Sequence, residues 1–356
     1  MRNYPGQARF PMPAGAIVVG GQWGSEGKGA LIYEIGPDYD THVRVGGPQA
    51  GHSIKLPGGE VLKLQCIPVG AALGKEAIIG QQSVVDPQVL NRELEWFRQL
   101  GIKTNLIVDP AATVLEPLAV VDEALAELTH RIGSTGKGVG AARAARIMRQ
   151  AKTVGSYEYW PPEVSILHTA PIIQDRLADP GHGVLVEAAQ GVELALFSSG
   201  YYPYVTSSEP TPTGAFAEMG LPLWAASSFE AVGVFRTFPI RVAGNSGPLP
   251  NEISWEILEQ ERGGPISDSE KLTTVTNKVR RVARWDAKQA RAAVQRSGIG
   301  WAALTFLDYP YPEVTGETDY DRIPPGAKRY VTERERDLGV PILLVGTGFG
   351  TYAWRH

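Results

Sequence analysis

The sequence predicts an α/β fold: a single large domain with a mainly parallel central sheet, helices on both faces, inserted loops and a P-loop-like nucleotide site. Three observations carry this. Short apolar, β-rich runs recur along the chain and stop at Gly, Pro or Asp. Helical periods lie between them. A glycine-rich loop follows the first run directly. Strands covered by helices on both faces read as continuous apolar runs rather than alternating ones, and these runs do.

The first run is Ala16–Gly20. Gly20-Gly21-Gln22-Trp23-Gly24-Ser25-Glu26-Gly27-Lys28-Gly29 comes next, with a short helix expected over Ala30–Ile35. Further buried strands are expected at Glu76–Gly80, Asn105–Val108, Gly183–Val186, Ala231–Phe235, Ala302–Phe306 and Pro341–Val345. Pro87–Leu100 puts Val89, Leu90, Leu94, Phe97 and Leu100 on one helical face. Glu116–Arg131 opens near Pro117, a residue suited to a first helical turn, and spaces Leu118, Val121, Leu125 and Leu128 at three and four. Helices are also expected over Val139–Gln150 and Ala283–Arg296. Pro57-Gly58-Gly59 reads as a hairpin turn and Pro324-Pro325-Gly326 as a surface loop. With no repeat and no long linker, residues 16–356 are expected to form one domain, preceded by an irregular extension over 1–15.

Composition narrows the function. The chain has 356 residues, of which 43% are hydrophobic, and a formal charge of −4. Its 41 glycines and 27 prolines make it loop-rich without reaching low complexity. The one cysteine, Cys66, excludes an internal disulfide and fits a reducing compartment. No apolar window approaches the ~18 residues of a membrane span, and the mild acidity gives no general reason to bind nucleic acid. A cytoplasmic protein is expected.

The glycine loop suits an anion. Glycines let backbone N–H groups turn toward phosphate, a helix N-terminus adds partial positive charge, and Lys28 can reach terminal phosphate oxygens. It is not a Walker A loop, which needs glycine where Gln22 stands and a hydroxyl residue where Gly29 stands.

As a string, Gly20 to Gly29 resembles the Gly-Gln-Trp-Gly-Asp-Glu-Gly-Lys-Gly signature of adenylosuccinate synthetases, with Ser25 in place of aspartate. Gly46-Gly47-Pro48-Gln49-Ala50-Gly51-His52-Ser53 is similar to that family's Gly-Gly-His-Asn-Ala-Gly-His-Thr loop, and Ile132 to Gly140 to its Ile-Gly-Thr-Thr-Gly-Arg-Gly-Ile-Gly segment. Glu187 to Gly191, Tyr202 to Ser208, Leu304 to Asp308 and Gly346-Thr347-Gly348 follow in the family's order. The resemblance covers nearly the whole chain.

It implies a Mg2+-dependent ligase that moves the γ-phosphoryl group of a nucleoside triphosphate to O6 of a purine monophosphate. The amine of L-aspartate then displaces phosphate at C6. It implies catalytic roles for Ser25, Glu26, Lys28 and His52, with Gly51 and Ser25 at the metal. The monophosphate falls to Ser25, Gln49, Ser134, Thr135, Arg149, Gln190 and Thr206. Arg149 aligns with an arginine that reaches the neighbouring subunit's nucleotide, which implies a homodimer. Gly24, Glu26, Gly27, Lys28, Gly29, Gly51, His52, Ser53, Arg280, Phe306, Asp308, Gly346, Thr347 and Gly348 are implied for the triphosphate. Aspartate falls to Thr274, Val275, Thr276, Lys278 and Arg280.

Two departures from the family pattern redirect the substrate. A serine hydroxyl is not a base near neutral pH, so Glu26 and a metal-bound water become the candidates for the purine N1 proton. Serine is also shorter than aspartate, which opens space beside N1 for the C2 amine that guanine carries and hypoxanthine lacks. This matches the branch resembling phage enzymes that convert dGMP and aspartate to succino-2-amino-2′-deoxyadenylate, a precursor of 2-aminoadenine in DNA; a phage-encoded chain would work in the host cytoplasm. Phe306 replaces the lysine of Thr-Lys-Leu-Asp; a ring stacks on any purine, so ATP or dATP is expected. The alternatives are an enzyme acting on IMP with GTP and a non-catalytic nucleotide-binding regulator.

Overall fold

A computed structural model of the chain describes residues 14–272 and 278–355. In chain order, β1 (Gly15–Gly20) leads through the glycine loop into α1 (Lys28–Ile35) and then β2 (Thr41–Arg44). The hairpin β3 (His52–Lys55) and β4 (Val61–Leu64) is followed by β5 (Glu76–Ile79), β6 (Val84–Val85) and α2 (Pro87–Gln99). β7 (Leu106–Val108) and β8 (Thr113–Val114) precede three short helices, α3 (Pro117–Leu125), α4 (Leu128–Ile132) and α5 (Val139–Ile147). β9 (Val164–Ile166), α6 (Thr169–Ala178), β10 (Val184–Gly191), α7 (Pro212–Glu218) and β11 (Phe229–Arg236) come next. A small module holds β12 (Ile240–Arg241), β13 (Glu252–Ile253), α8 (Trp255–Arg262), α9 (Asp268–Lys271) and β14 (Arg281–Ala283). The chain ends with α10 (Ala287–Ser297), β15 (Trp301–Thr305), α11 (Pro325–Leu338), β16 (Ile342–Gly348) and β17 (Thr351–Trp354).

Ten strands form one sheet in the order β17-β16-β15-β11-β1-β10-β2-β5-β7-β9, parallel throughout except for β17 at its edge. The side chains of β1 alternate between two cores. Ala16 and Val18 pack toward α1 and α2, against Leu31, Ile35, Leu94 and Phe97. Ile17 and Val19 join the opposite layer with Ala215 of α7, Ala290 of α10 and Val331 of α11. The chain moves outward from β1 to β9, returns to place β10 beside β1, and continues on the other side with β11. Strand order therefore reverses around β1, and the crevice beyond the carboxyl ends at such a switch point is where open α/β sheets bind ligands.

Every strand expected from the apolar runs is present, and four sequence expectations are corrected. The helix expected over Glu116–Arg131 breaks at Glu127, which is left-handed (φ 52°), into α3 and α4. Its apolar stripe faces outward, with Leu118, Val121 and Leu125 exposed. The helix expected from Ala283 starts at Ala287, because the Asp286 side chain caps it while Ala283 pairs in β14. Pro325 opens α11 rather than lying in a loop, its missing N–H costing nothing in a first turn. Finally, β15 stops at Thr305, since Phe306 is left-handed (φ 61°). The extension expected over residues 1–15 falls almost wholly outside the described residues.

Candidate active site

A cavity of about 780 Å³ opens at the carboxyl ends of β1, β10, β11 and β15. Its floor is the glycine loop, wound by left-handed residues at Gly24 (φ 95°), Ser25 (φ 59°) and Gly27 (φ 90°). Serine in that region is uncommon, and here it sets an exposed side chain on the cavity wall. Gln22 ties the loop to the sheet: its side chain accepts from the Arg236 N–H (3.0 Å) and donates to the Arg236 carbonyl (3.1 Å). Gly29 is required by close approach, since a Cβ there would lie 2.8 Å from His52 Cβ and 2.9 Å from its Cα.

Glu26, expected as a base or a triphosphate contact, is fully buried and committed to the loop. One oxygen accepts from the N–H groups of Gln22 (3.2 Å) and Gly24 (2.7 Å), and the other pairs with Lys28 Nζ (2.9 Å). This corrects the expectation of a free base: a carboxylate holding two amides and an ammonium is a brace.

His52, at the start of β3, is buried and lines the cavity. Its Nδ1 lies 3.0 Å from Glu187 Oε2 and 2.9 Å from Arg44 Nη1, while its Nε2 is buried without a hydrogen-bond partner among the described residues. Glu187 also accepts from the Val69 N–H (2.6 Å), and Arg44 approaches its carboxylate at 3.4 Å. Burial and then the Arg44 charge push the His52 pKa down to about 4, against the pull of Glu187, which keeps the imidazole neutral near pH 7. Burial alone would raise Glu187, but His42 3.8 Å away, the hydrogen bond to His52 and the Arg44 charge hold it down at about 2. A neutral imidazole fixed at Nδ1 presents Nε2 to whatever fills the cavity.

Across from the loop, Ser134, Thr135, Gln190 and Thr206 line the wall, and Gln190 is left-handed (φ 68°). Glu123 of α3 holds the segment after α4 in place, accepting from the N–H groups of Gly138 (2.9 Å) and Gly140 (2.8 Å). At the far end Asp308 is buried, with Oδ1 lacking a hydrogen-bond partner among the described residues; burial raises its pKa. Phe306 lies beside it, one ring face covered by the Arg236 guanidinium, whose Cζ is 3.5 Å from the ring centroid. The purine stack expected on Phe306 is therefore not open on that face.

Gln49, Gly51, Ser53, Arg280, Gly346 and Gly348 also line the cavity. Three expected residues do not. Thr347 is buried behind it, with its hydroxyl donating to the Glu317 carbonyl (2.7 Å). Lys278 is exposed away from the lining. Arg149 is exposed at the end of α5 and left-handed (φ 62°), outside its own chain's cavity. Thr274, Val275 and Thr276 lie outside the described residues. Sequence reasoning missed Arg44, Glu123, Arg236 and the role of Glu187, because partners 135 residues apart, such as His52 and Glu187, leave no spacing signal.

Magnesium would find few protein ligands. Among the described residues no cluster of three or more His, Cys, Asp or Glu side chains is arranged to hold a metal. Ser25 and Gly51, the residues implied for the metal, both line the cavity and can offer a hydroxyl and a carbonyl oxygen. That set fits a magnesium ion that arrives on phosphates and keeps several waters.

The family model described as adenylosuccinate synthetase matches residues 17–160 and 160–311. Curated adenylosuccinate synthetases from Methanocaldococcus jannaschii and Pyrococcus sp. (strain ST700) are 37% and 36% identical over 341 and 337 residues; each alignment covers 93% of this chain, and 93% and 95% of the relative. Among solved structures, fully ligated adenylosuccinate synthetase from Plasmodium falciparum superposes with a TM-score of 0.82 at 20% identity, covering 96% of this chain and 99% of that one. Cyanophage S-2L succinoaminodeoxyadenylate synthetase, bound to dGMP and dATP as an energy donor, superposes with a TM-score of 0.79 at 27% identity, covering 96% and 95%.

Proposed function

The chain belongs to the adenylosuccinate synthetase family and is a ligase that forms a C–N bond between L-aspartate and a purine nucleotide; we propose that its nucleotide is dGMP and its phosphoryl donor ATP or dATP. The observation that carries this is Ser25. It replaces the signature aspartate, and its left-handed backbone sets a short, uncharged side chain at the cavity surface. A hydroxyl there leaves room for the C2 amine of guanine and can accept a hydrogen bond from it. The cyanophage neighbour, whose solved complex holds dGMP and dATP, supports the same substrates.

The chemistry divides among the chain's own groups. The N-terminus of α1 and Lys28 receive the triphosphate. Ser134 and Thr135, on the cavity wall, receive the 5′-phosphate. The purine N1 proton passes to water as O6 attacks the γ-phosphorus and the nucleoside diphosphate leaves. The aspartate amine then attacks C6, and phosphate departs with the former O6. His52 takes up a proton as phosphate charge enters the cavity, so that Nδ1–H stays on Glu187 and Nε2–H donates to O6 and the transferring phosphoryl group. Magnesium held by Gly51, Ser25 and the phosphates would offset phosphate charge when bound. Asp308 Oδ1 accepts from the base of the triphosphate.

We assign the active form as a homodimer. Leu118, Val121 and Leu125 of α3 are exposed, and so are Ile147 and Met148, 70% and 64%, beside Arg149 at the end of α5, the helix α3 packs on. Exposed large apolar side chains on two packed helices support an interface. A second copy covering these residues would also cover Arg149, the arginine expected to reach a neighbouring nucleotide.

The second reading, IMP with GTP, is favoured by the archaeal relatives, which are adenylosuccinate synthetases at 33–37% identity. One experiment separates the two. The chain is incubated with aspartate and magnesium, pairing dGMP or IMP with ATP or GTP, and phosphate and the succinylated product are followed. Turnover with dGMP and ATP is expected. Turnover with IMP alone overturns the proposal, and turnover with no pair supports a non-catalytic nucleotide binder.

A further inference from the structure

Arg236 is 1% exposed and lines the cavity, yet it is short of partners. Its Nη1 reaches the Ser25 carbonyl at 3.4 Å, a long contact, and neither Nε nor Nη2 has a hydrogen-bond partner among the described residues. Lys28 is matched by Glu26 at 2.9 Å and Arg44 by Glu187 at 3.4 Å. Arg241, buried as deeply, donates to the carbonyls of Pro248 (2.7 Å) and Tyr204 (2.6 Å). Arg236 instead stacks on two rings, 3.5 Å from the Phe306 centroid and 4.9 Å from that of Tyr309. Ring faces attract a cation but accept no N–H hydrogen bond of ordinary strength.

A buried guanidinium is always charged, and leaving it unsatisfied is costly. Its mount is rigid, because both backbone polar groups of Arg236 are clasped by the Gln22 side chain at the foot of the glycine loop. A second cation adds to the strain: burial and the nearby Arg236 charge pull the Arg280 pKa down to about 10, and Arg280 lines the same cavity. Two guanidinium groups facing one cavity, beside a loop built for anions, define a seat for a ligand oxyanion.

We infer that Arg236 is a binding residue for the phosphate chain of the nucleoside triphosphate, its free Nε–H and Nη2–H groups donating to phosphate oxygens between the glycine loop and Arg280. The phosphate chain is favoured over the aspartate carboxylates because the contact Arg236 already makes is to the glycine loop itself. Phe306 then serves as the platform that fixes the guanidinium plane. The inference rests on a triphosphate occupying the glycine loop and is independent of which monophosphate is used.

The test compares the full wild-type chain with Arg236→Met, which keeps an apolar stem on Phe306 and removes the charge. Binding of magnesium AMP-PNP is measured by calorimetry without monophosphate or aspartate. The variant is expected to bind about 10- to 100-fold more weakly, the effect of losing charged hydrogen bonds. Without ligand its melting midpoint is expected to equal or exceed that of the wild type, because a buried guanidinium with unfilled hydrogen bonds has been removed, which outweighs its attraction to Asp308. Arg236→Lys, which keeps the charge with fewer donors, is expected to fall between the two. Equal AMP-PNP affinity in all three forms overturns the inference. So does a lowered ligand-free midpoint or failure of the methionine variant to fold, since a structural brace predicts either. An effect confined to the KM of aspartate reassigns the oxyanion and overturns it as well. If the wild type binds neither AMP-PNP nor GMP-PNP, the triphosphate reading itself falls, a result distinct from equal binding.

Discussion

Replacing Glu187 by glutamine tests the buried network that orients His52. The carboxylate is fully buried and faces three groups: His52 Nδ1 at 3.0 Å, Arg44 Nη1 at 3.4 Å and the Val69 N–H at 2.6 Å. An amide oxygen can keep the Val69 bond. The amide NH2 then meets Arg44 and the histidine with donors, and Arg44, 3% exposed, loses the carboxylate it is ion-paired with among the described residues. Removing one partner of such a pair costs about 3–5 kcal/mol. The acid side gives a second magnitude. The Glu187 carboxyl is held at about 2, below its ordinary 4.5, so it stabilises the fold fully above pH 4.5 and loses that contribution as pH falls toward 2. That depression, at about 1.4 kcal/mol per pH unit, is worth roughly 3 kcal/mol, in line with the first figure.

Urea unfolding of wild type and Glu187→Gln from pH 7 down to pH 3 reads both effects. A gap of about 3–5 kcal/mol is expected at pH 7, narrowing below pH 4.5. Turnover should also fall by at least about tenfold with little change in substrate KM, because a loosened imidazole affects the phosphoryl step more than binding. A gap under about 1 kcal/mol at pH 7, or one that does not narrow in acid, would refute the assignment of Glu187 as countercharge.

Three further outcomes are expected. Ser25→Asp should lower kcat/KM for dGMP by about tenfold or more through crowding at the C2 amine, and an unchanged value removes that explanation for the serine. Gly29→Ala forces a Cβ to within 3.0 Å of the His52 backbone; overpacking of this kind costs about 1–3 kcal/mol in urea unfolding, and an unshifted midpoint contradicts the close packing. Leu125→Glu, at a side chain 77% exposed on α3, should give a monomer by light scattering that turns over poorly while keeping the wild-type melting midpoint. A monomeric, fully active variant would show that Arg149 serves no neighbouring site.

The central sheet was legible because its strands are buried on both faces, so each appears as an apolar run that needs no knowledge of its neighbours. Ala16 and Val18 face one core and Ile17 and Val19 the other, which leaves no polar alternation to misread. Elements whose character depends on distant partners were not legible. The stripe on α3 has a core-helix pattern but turns outward, since periodicity reports that a face is apolar and says nothing of what covers it. Proline pairs mark turns as often as helix starts, so Pro324-Pro325 reads as loop; the N-terminal placement follows only once β16 draws α11 against the sheet.

The site divides the same way. Contiguous motifs announced the glycine loop, His52 and Asp308, whereas the charges that balance them are assembled from β2, β10 and β11. Ser25 shows how the two kinds of information combine. Its carbonyl lies 3.4 Å from Arg236 Nη1, so residue 25 stands beside the buried guanidinium whose other donors are unspent. A carboxylate on residue 25 would bring a negative charge within a side chain's reach of that cation, and the two would attract in the low-dielectric cavity. Serine supplies no such charge, so the shorter side chain has two consequences: space at the purine C2 edge and a guanidinium left available to phosphate. Ser25→Asp therefore acts at two places that separate experimentally. The crowding appears in the KM of dGMP with AMP-PNP affinity unaffected, whereas pairing with Arg236 appears as weaker AMP-PNP binding in the absence of any monophosphate. Loss of both in the one variant is the expected result, and loss of neither leaves the serine without a role at this site.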